Sequence, residues 1–573
     1  MPFQRDWVAG LEAARVPARC VDVELAEPLT DLEYPGYRSL HALVRLHGAP
    51  VGVVSAPLID AYCAAATLRS AIIDQLAPAL IRVAVRHAIE RPISATPLDP
   101  ERLVATPELP NDVLPGVTVA VCTRGRPDSL RRCLEAIGRL RHPNLEVIVV
   151  DNSAGEEATQ RVVSAYADGI RQIRYVREPG LGLNRARNRA IMAATREIIA
   201  FADDDVVVDA GWAGAIARLF HTSPEVQAVT GLVAPLELET EAQLAFERYR
   251  GFGRGCERRW REDAGRGAHP IALRHGNTGK LGTGANMAFR RSTLATVGGF
   301  DPALDLGTVT NGGGDLDMFF RVIKAGGILV YEPSAIVRHE HRREFDVLRQ
   351  QLADWGTAMR SYTERNRSIY PEERVQFLAL VHWLLGAWHL RRLAWSLFDR
   401  TLPTSLILAE MKGLLTGRSR YDQARVAASD VARRFGVSQP PPRAARRRVR
   451  GVVPPARETV DRVVDLTTPL APLDDVRDAE AVRLRITVDG RPLATTLLAH
   501  HGRSVSAPRL GDVIAQSAGA TLAGLPGGVR HAGREQRELA ARLLAALEPR
   551  ADSSPRPQQW SERACHSGSE TRR

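Results

Sequence analysis

The sequence predicts an α/β protein: a central domain built on a mostly parallel sheet, two small α/β modules on either side of it, and a helical C-terminal extension. Three observations carry this. In the middle of the chain, uninterrupted apolar runs alternate with helical segments, the rhythm of a parallel sheet covered on both faces. The two outer segments resemble each other. Prolines gather in two stretches that break every helical period. The blocks expected are a first module (1–90), a Pro-rich linker (91–116), the central domain (117–345), the helical extension (346–437), a Pro/Arg-rich linker (438–455), a second module (456–548) and a disordered polar tail (549–573).

The outer modules read as a duplication. "VELAEPLTDL" (Val23–Leu32) aligns without gaps on "VDLTTPLAPL" (Val464–Leu473), and "HALVRLHGAPVG" (His41–Gly52) falls on "RLRITVDGRPLA" (Arg483–Ala494) after a one-residue shift. Each such run alternates around a Gly-containing turn, which predicts a β-hairpin, and each copy continues into a short helix. In the central block the strands expected are Val117–Cys122, Leu145–Val150, Gln172–Val176 and Glu197–Ala202, with helices over Asp128–Leu140, Glu156–Tyr166 and Leu183–Thr195. In the extension, "FLALVHWLLGAWHLRRLAWSLF" (Phe377–Phe398) is interrupted by His382, His389, Arg391 and Arg392, so it does not read as a spanning helix. It reads either as a helix packed on a core or as one lying on a membrane surface.

In such sheets ligands bind beyond the carboxyl ends of the strands. The first strand leads into Thr123, Arg124 and a helix opened by Pro127, a combination suited to an anion. The second ends at Asp151, placed to accept hydrogen bonds from a base or ribose. The third leads into "REPGLGLNRARNRA", with Asn184, Arg187 and Asn188. The fourth runs into Asp203, Asp204 and Asp205, whose mutual repulsion is about 1–4 kcal/mol per pair at roughly 4 Å. Hard carboxylate oxygens bind Mg²⁺ or Mn²⁺, often shared with substrate phosphates. Asp203 and Asp205 are therefore candidate metal ligands and Asp204 a candidate sugar or ribose contact. Asp209 reads as the cap of the next helix.

The pieces "VAVCTRGRP", "VIVVDNS", "GLGLNRARNRAI", "IAFADDDV", "GTGANMAFRR", "VGGFDPAL", "GGGDLDMFFRVIKAGG" and "YEPSAIVRHEH" stand in an order that resembles a family 2 glycosyltransferase of the GT-A fold. The resemblance does not cover the outer modules. It implies that Thr123, Arg124 and Asp151 hold the nucleotide, that Arg187 lies near the donor, and that Asp203 and Asp205 form the DxD metal pair. It also implies that His339 completes the metal's coordination, with His341 as the competing choice. Asp315 would be the catalytic base with Asp317 beside it, and Gly314 stands where the family commonly has glutamate. Gly284, Ala285 and Asn286 would lie against donor sugar or acceptor, or else form a strand-entry turn; Asp315 and Asp317 would otherwise cap their helix.

The implied reaction is an inverting displacement at an anomeric carbon. A nucleotide-diphosphate sugar is the donor, a hydroxyl of a cell-envelope polysaccharide or glycolipid the acceptor, and Mg²⁺ or Mn²⁺ the cofactor. Rival classes fit less well. A nucleotidyltransferase would carry a glycine-rich, lysine-bearing triphosphate loop where "CTRGRP" stands, and "PGLGLN" lacks the dinucleotide spacing. The net charge of +11 favours anionic partners, but much of it sits in "PRAARRRVRG" (Pro442–Gly451), without the aromatic residues of a nucleic-acid site. That cluster reads as a solvated linker or as a tether to anionic lipid head groups. The six cysteines lack metal-type spacing, and "MPFQRDWVAGLEAARV" lacks the apolar core of a secretory signal. A cytoplasmic location is expected, with peripheral contact at the inner membrane face as its variant.

Overall fold

The computed structural model describes residues 11, 14–106, 114–153, 157–167, 169–170, 172–249, 251–262, 276–398, 403–436, 457–525 and 533–548. The expected Pro/Arg-rich linker (438–455) and polar tail (549–573) lie outside the described residues.

In the first module, β1 (Ala18–Glu24) runs parallel to β3 (Ser39–Leu46), which forms an antiparallel hairpin with β4 (Ala49–Pro57). A small pair, β2 (Leu32–Glu33) and β5 (Tyr62–Cys63), closes the connections, and the 24-residue helix α1 (Ala65–Ala88) covers one face. The β3–β4 turn places both His47 (φ 52) and Gly48 (φ 81) in the left-handed region, as a two-residue primed turn requires.

The central domain is the α/β unit expected, with a mixed sheet. Its first strands, β6 (Val117–Thr123), β7 (Leu145–Asp151), β8 (Ile173–Arg177) and β9 (Ile198–Asp203), are parallel. Helices α2 (Pro127–Ile137) and α3 (Leu183–Ala193) lie between them in sequence. Beyond β10 (Val206–Val208), α4 (Trp212–Thr222), β11 (Val226–Pro235), α5 (Glu241–Tyr249) and β12 (Arg259–Arg261), the sheet takes in β13 (Asn286–Arg290). It also takes in β14 (Ile328–His339), which follows helix α6 (Gly314–Lys324). The order is β10-β14-β11-β13-β9-β6-β7-β8, with β12 on β14; β13 is antiparallel to both neighbours. Strand β6, "VTVAVCT", is buried throughout, as a central strand covered on both faces must be.

The extension consists of α7 (Phe345–Ile369), α8 (Arg374–Trp383), a π-helical segment (Leu384–Leu390), α9 (Arg391–Ser396), α10 (Thr404–Thr416) and α11 (Arg420–Phe435). Among the described residues, no helix is long and apolar enough to cross a membrane.

The second module repeats the first. Strand β15 (Arg457–Asp465) runs parallel to β16 (Ala479–Val488), which is antiparallel to β17 (Arg491–Ala499), and α12 (Ala507–Ser517) and α13 (Gly533–Leu547) follow. Its turn, Asp489 (φ 49) and Gly490 (φ 70), matches that of the first copy. In each copy a carboxylate at the end of the first strand ties this turn down. Glu24 accepts from the His47 and Gly48 amides at 2.8 Å, and Asp465 accepts from the Gly490 amide at 2.9 Å.

The two modules share one apolar core, in which Ile72, Leu80 and Ile81 of the first pack with Ile514, Leu522 and Leu543 of the second. This corrects the picture of separate flanking units. It also corrects the linker: within 91–116, Ile93, Leu98, Leu103 and Val104 belong to that core, and the Ile93 and Leu98 amides donate to the Leu466 and Leu522 carbonyls at 2.8 Å. Pro92, Pro97 and Pro100 thus lie in a packed crossing, not a free tether.

Candidate active site

The strand ends converge as the sheet register requires. Pairing sets Thr123 opposite Asp151 and Cys122 opposite Asp203, so the polar residues that follow β6, β7 and β9 meet at one edge. The Thr123 hydroxyl donates to Asp204 Oδ2 at 2.7 Å. Two arginines straddle the acids. Arg187, from α3, stands 3.5 Å from Asp203 Oδ1. Arg126, just ahead of α2, reaches Asp204 Oδ1 at 3.3 Å and Asp205 Oδ2 at 3.1 Å. These cations offset the mutual repulsion of the acidic triplet. The offset is uneven. Burial, only partly countered by Arg187 and reinforced by Asp205 and Asp204, pushes the Asp203 carboxyl up to about 6. At Asp205, burial opposes the charge but the Arg126 guanidinium counters it, and the carboxyl is held below its usual range.

β10 pairs antiparallel with the end of β14, setting Val206 opposite His339 and bringing that ring beside Asp205. His339 Nε2 lies 3.4 Å from Asp205 Oδ1, His339 Nδ1 lies 3.2 Å from His341 Nδ1, and His341 Nε2 lies 2.7 Å from Glu247 Oε1 on α5. With neutral rings only one proton arrangement satisfies this chain. The Glu247 carboxylate accepts from His341 Nε2–H, His341 Nδ1 accepts from His339 Nδ1–H, and the bare Nε2 of His339 faces Asp205. Burial lowers the His339 imidazole to about 4, which keeps it neutral near pH 7. His341, fully enclosed behind it, is the supporting ring.

Two carboxylates and a bare imidazole nitrogen are a donor set that suits Mn²⁺ or Mg²⁺. Among the described residues, no three His, Cys, Asp or Glu side chains already close into a cage. A cation here would therefore take the rest of its shell from water and substrate phosphate, the usual habit of Mg²⁺.

Asp315, in the first turn of α6, is half-buried; its Oδ2 accepts from the Gly284 amide and its Oδ1 from the Leu316 amide, both at 2.9 Å. The Gly284 carbonyl in turn accepts from Arg187 at 3.4 Å, so the candidate base and the donor-side arginine meet across one glycine. Gly314 has a local cause. A Cβ there would stand 2.6 Å from Asn184 Oδ1, and Asn184 is fixed by donating to the Asp301 and Leu304 carbonyls at 2.9 and 2.7 Å. An asparagine from α3 thus fills the space that a side chain at 314 would need.

Two sequence-predicted site residues are placed elsewhere. Asp317 is fully buried and ion-paired with Arg321 at 2.7 Å and Arg365 at 2.5 Å, so it bolts α6 to α7 rather than neighbouring the base. Asn286 donates to the Leu232 and Ala335 carbonyls at 3.0 and 2.8 Å and accepts from Trp212 Nε1 at 2.9 Å, so its amide stitches strands together instead of facing a ligand. Asp151 lies at the converging edge but is buried, accepting from Ser153 and from the Tyr175 hydroxyl, while Arg124 is exposed at the rim. Arg126 and Glu247 were not anticipated. The first is visible only as the residue ahead of a helix-opening proline, and the second sits on a helix that carries no signal. Asp305, on the glycine-rich loop before α6, was also missed. Burial pushes its carboxyl up to about 7, and its Oδ1 accepts from the Asn184 amide at 2.9 Å.

Comparison with known proteins bears on the central domain. Residues 118–292 match the model of Glycosyl transferase family 2. A pre-mycofactocin glycosyltransferase of Mycobacterium tuberculosis is 30% identical over 240 residues, 42% of this chain and 44% of that protein. A glucosyl-dolichyl phosphate glucuronosyltransferase of Haloferax volcanii is 27% identical over 248 residues, 40% of this chain and 72% of that protein. The chain thus spans less than half the length of the first of these relatives. A solved mannosyltransferase from Pyrobaculum calidifontis, in complex with GDP-Man and Mn²⁺, aligns over 62% of this chain and 83% of its own at 20% identity. Its TM-score of 0.31 is too low to bear on the site. The strand ends and the acidic triplet all lie within residues 118–292, the part of the chain that is similar to glycosyl transferase family 2.

Proposed function

We propose that this protein is a metal-dependent, inverting glycosyltransferase that moves a sugar from a nucleotide-diphosphate donor to a hydroxyl of a glycan or glycolipid acceptor. One observation carries the reading: an acidic triplet flanked by Arg126, Arg187 and a bare histidine nitrogen lies across Gly284 from a carboxylate held at the mouth of α6. A relative named for glucosyl-dolichyl phosphate supports an acceptor of the glycolipid class.

Thr123, Arg124 and Asp151, at the ends of β6 and β7, are assigned to the nucleotide, and Asp203, Asp205 and His339 to the cation. A cation bound there supplies Lewis-acid stabilisation of the departing diphosphate. Arg126 and Arg187, which face the acids in the free chain, are placed to turn toward phosphate oxygens. Asp315 takes the acceptor proton as the hydroxyl attacks from the face opposite the leaving group, so the anomeric configuration inverts. General-base help of this kind contributes about 10²–10⁴-fold. Gly284 N–H orients the Asp315 carboxylate, leaving its outer lone pairs for the acceptor.

The test separates binding from chemistry. Asp203→Ala should abolish Mn²⁺-dependent binding of sugar nucleotides, read by saturation-transfer NMR across a donor panel. Asp315→Asn should bind the same donor with unchanged affinity and lose at least about 10²-fold in transfer rate. Full transfer by Asp315→Asn would remove Asp315 as the base.

A further inference from the structure

The segment from Arg374 to Phe398 is a continuous helical rod with two unlike faces. Its inner face is used: Phe377, Val381 and Leu384 are buried, His389 Nε2 lies 3.1 Å from Glu410 on α10, and Arg392 lies over the Tyr249 ring at 3.9 Å. Its outer face carries an apolar stripe, with exposed Arg374, His382 and Arg391 beside it. Val375, Ala379, Trp383, Ala387, Leu390, Ala394, Leu397 and Phe398 recur at helical spacing and are all exposed, with Val375, Leu390, Leu397 and Phe398 each more than half so. At 1.5 Å per residue the stripe is about 35 Å long. The π-helical insertion at Leu384–Leu390 lies within it.

Three features say what covers this stripe. From Arg374 to Phe398 there is no acidic side chain, while Arg374 and Arg391 are exposed along it and Lys280 Nζ stands 5.7 Å from the Trp383 ring centroid. Tryptophan with flanking arginine and lysine is the composition of a helix lying at a lipid–water boundary. With Arg374, Arg391 and Lys280 beside the stripe and no acid along the rod, a second copy meeting it here would be repelled where an anionic surface is attracted.

We propose that this face docks the protein on an anionic membrane surface, with the rod lying in the interfacial plane. The docking itself goes beyond the reaction proposed above. One extension rests on that reading: Lys280 belongs to the same loop as Thr278, whose hydroxyl donates to the Leu316 carbonyl at 3.0 Å, so the docked face adjoins the loop that runs to Gly284 and Asp315. A lipid-borne acceptor would reach the base from that side.

The test is sedimentation of the full chain with sucrose-loaded vesicles of phosphatidylcholine alone or with 30% phosphatidylglycerol, the amount in roughly the range where basic surfaces respond to anionic lipid. Wild type should bind the anionic vesicles at least tenfold more tightly than the neutral ones, and should lose most of that binding in 0.5 M salt, as about one Debye length of 4 Å implies. Leu390→Glu/Leu397→Glu should lose at least tenfold in binding while keeping its thermal midpoint and donor binding. Val375→Glu/Ala379→Glu, at the other end of the rod, should do the same. Asp203→Ala should bind vesicles like wild type, so failure of docking and failure of the catalytic reading are told apart. Equal vesicle binding by wild type and both charge variants would overturn the proposal. So would absence of vesicle binding, with or without a concentration-dependent dimer that the variants dissolve.

Discussion

At the scale of single residues the site is governed by who neutralises whom. Within the acidic triplet Asp203 is pushed up to about 6, chiefly because it is buried. The sign follows. A proton competes with a cation for this group below its folded value, so Mn²⁺ binding should be nearly independent of pH above 7 and fall about tenfold by pH 5, one unit of pKa being one factor of ten. Titration calorimetry in two buffers of different ionisation enthalpy should show proton release on binding near pH 6. For the folded chain alone the same group works the other way: its raised pKa favours folding as pH falls from about 6 toward the unfolded value near 4. The acids themselves were readable in sequence because three aspartates after a buried strand demand compensation. Their compensators were not. Arg126 and Glu247 reach the site from elements whose placement only the folded sheet decides.

At the scale of elements, α6 shows how two acids of one short motif can serve different ends. "GGDLD" puts two aspartates in the first turn, and both suit a base or a cap. Two residues apart, they point to different sides of the helix, Asp315 toward Gly284 and Asp317 toward Arg321 and Arg365. Periodicity alone gives the helix. Which side faces the cleft depends on the packing of α7, about which the motif says nothing. The tight fit of Gly314 against Asn184 gives a sharp test. On helix propensity, Gly314→Ala should stabilise by up to about 1 kcal/mol. Because the new Cβ would meet a buried amide that holds two carbonyls, the opposite is expected: a loss of about 1–3 kcal/mol, read as a lower thermal midpoint, with reduced transfer as Asp315 is displaced.

At the scale of the whole molecule, the two modules explain each other. In the first copy, Leu43 pairs with Val53 on the outer sheet face, and both pack against Leu232, Leu238 and Ile336 of the central domain. In the second copy the matching pair is Arg485 and Thr495, both exposed. One sheet is a buttress and its twin faces water, a difference written in those four residues. The internal similarity of the modules was legible because strand, turn and helix recur in order. Their fusion was not, since nothing local distinguishes a core shared with a distant segment from a private one. Truncation after residue 436 should therefore strip the cover from Ile72, Leu80 and Ile81, and yield a protein that binds the dye ANS and aggregates. A catalytic domain with an independent neighbour would instead stay soluble. The same feature bears on biogenesis. About 370 residues separate α1 from β15, which at ribosomal speeds of roughly 5–20 residues per second is on the order of 20–75 seconds. For that interval each nascent chain holds out half of a greasy clasp with no mate yet made, and a holding chaperone has its natural window there.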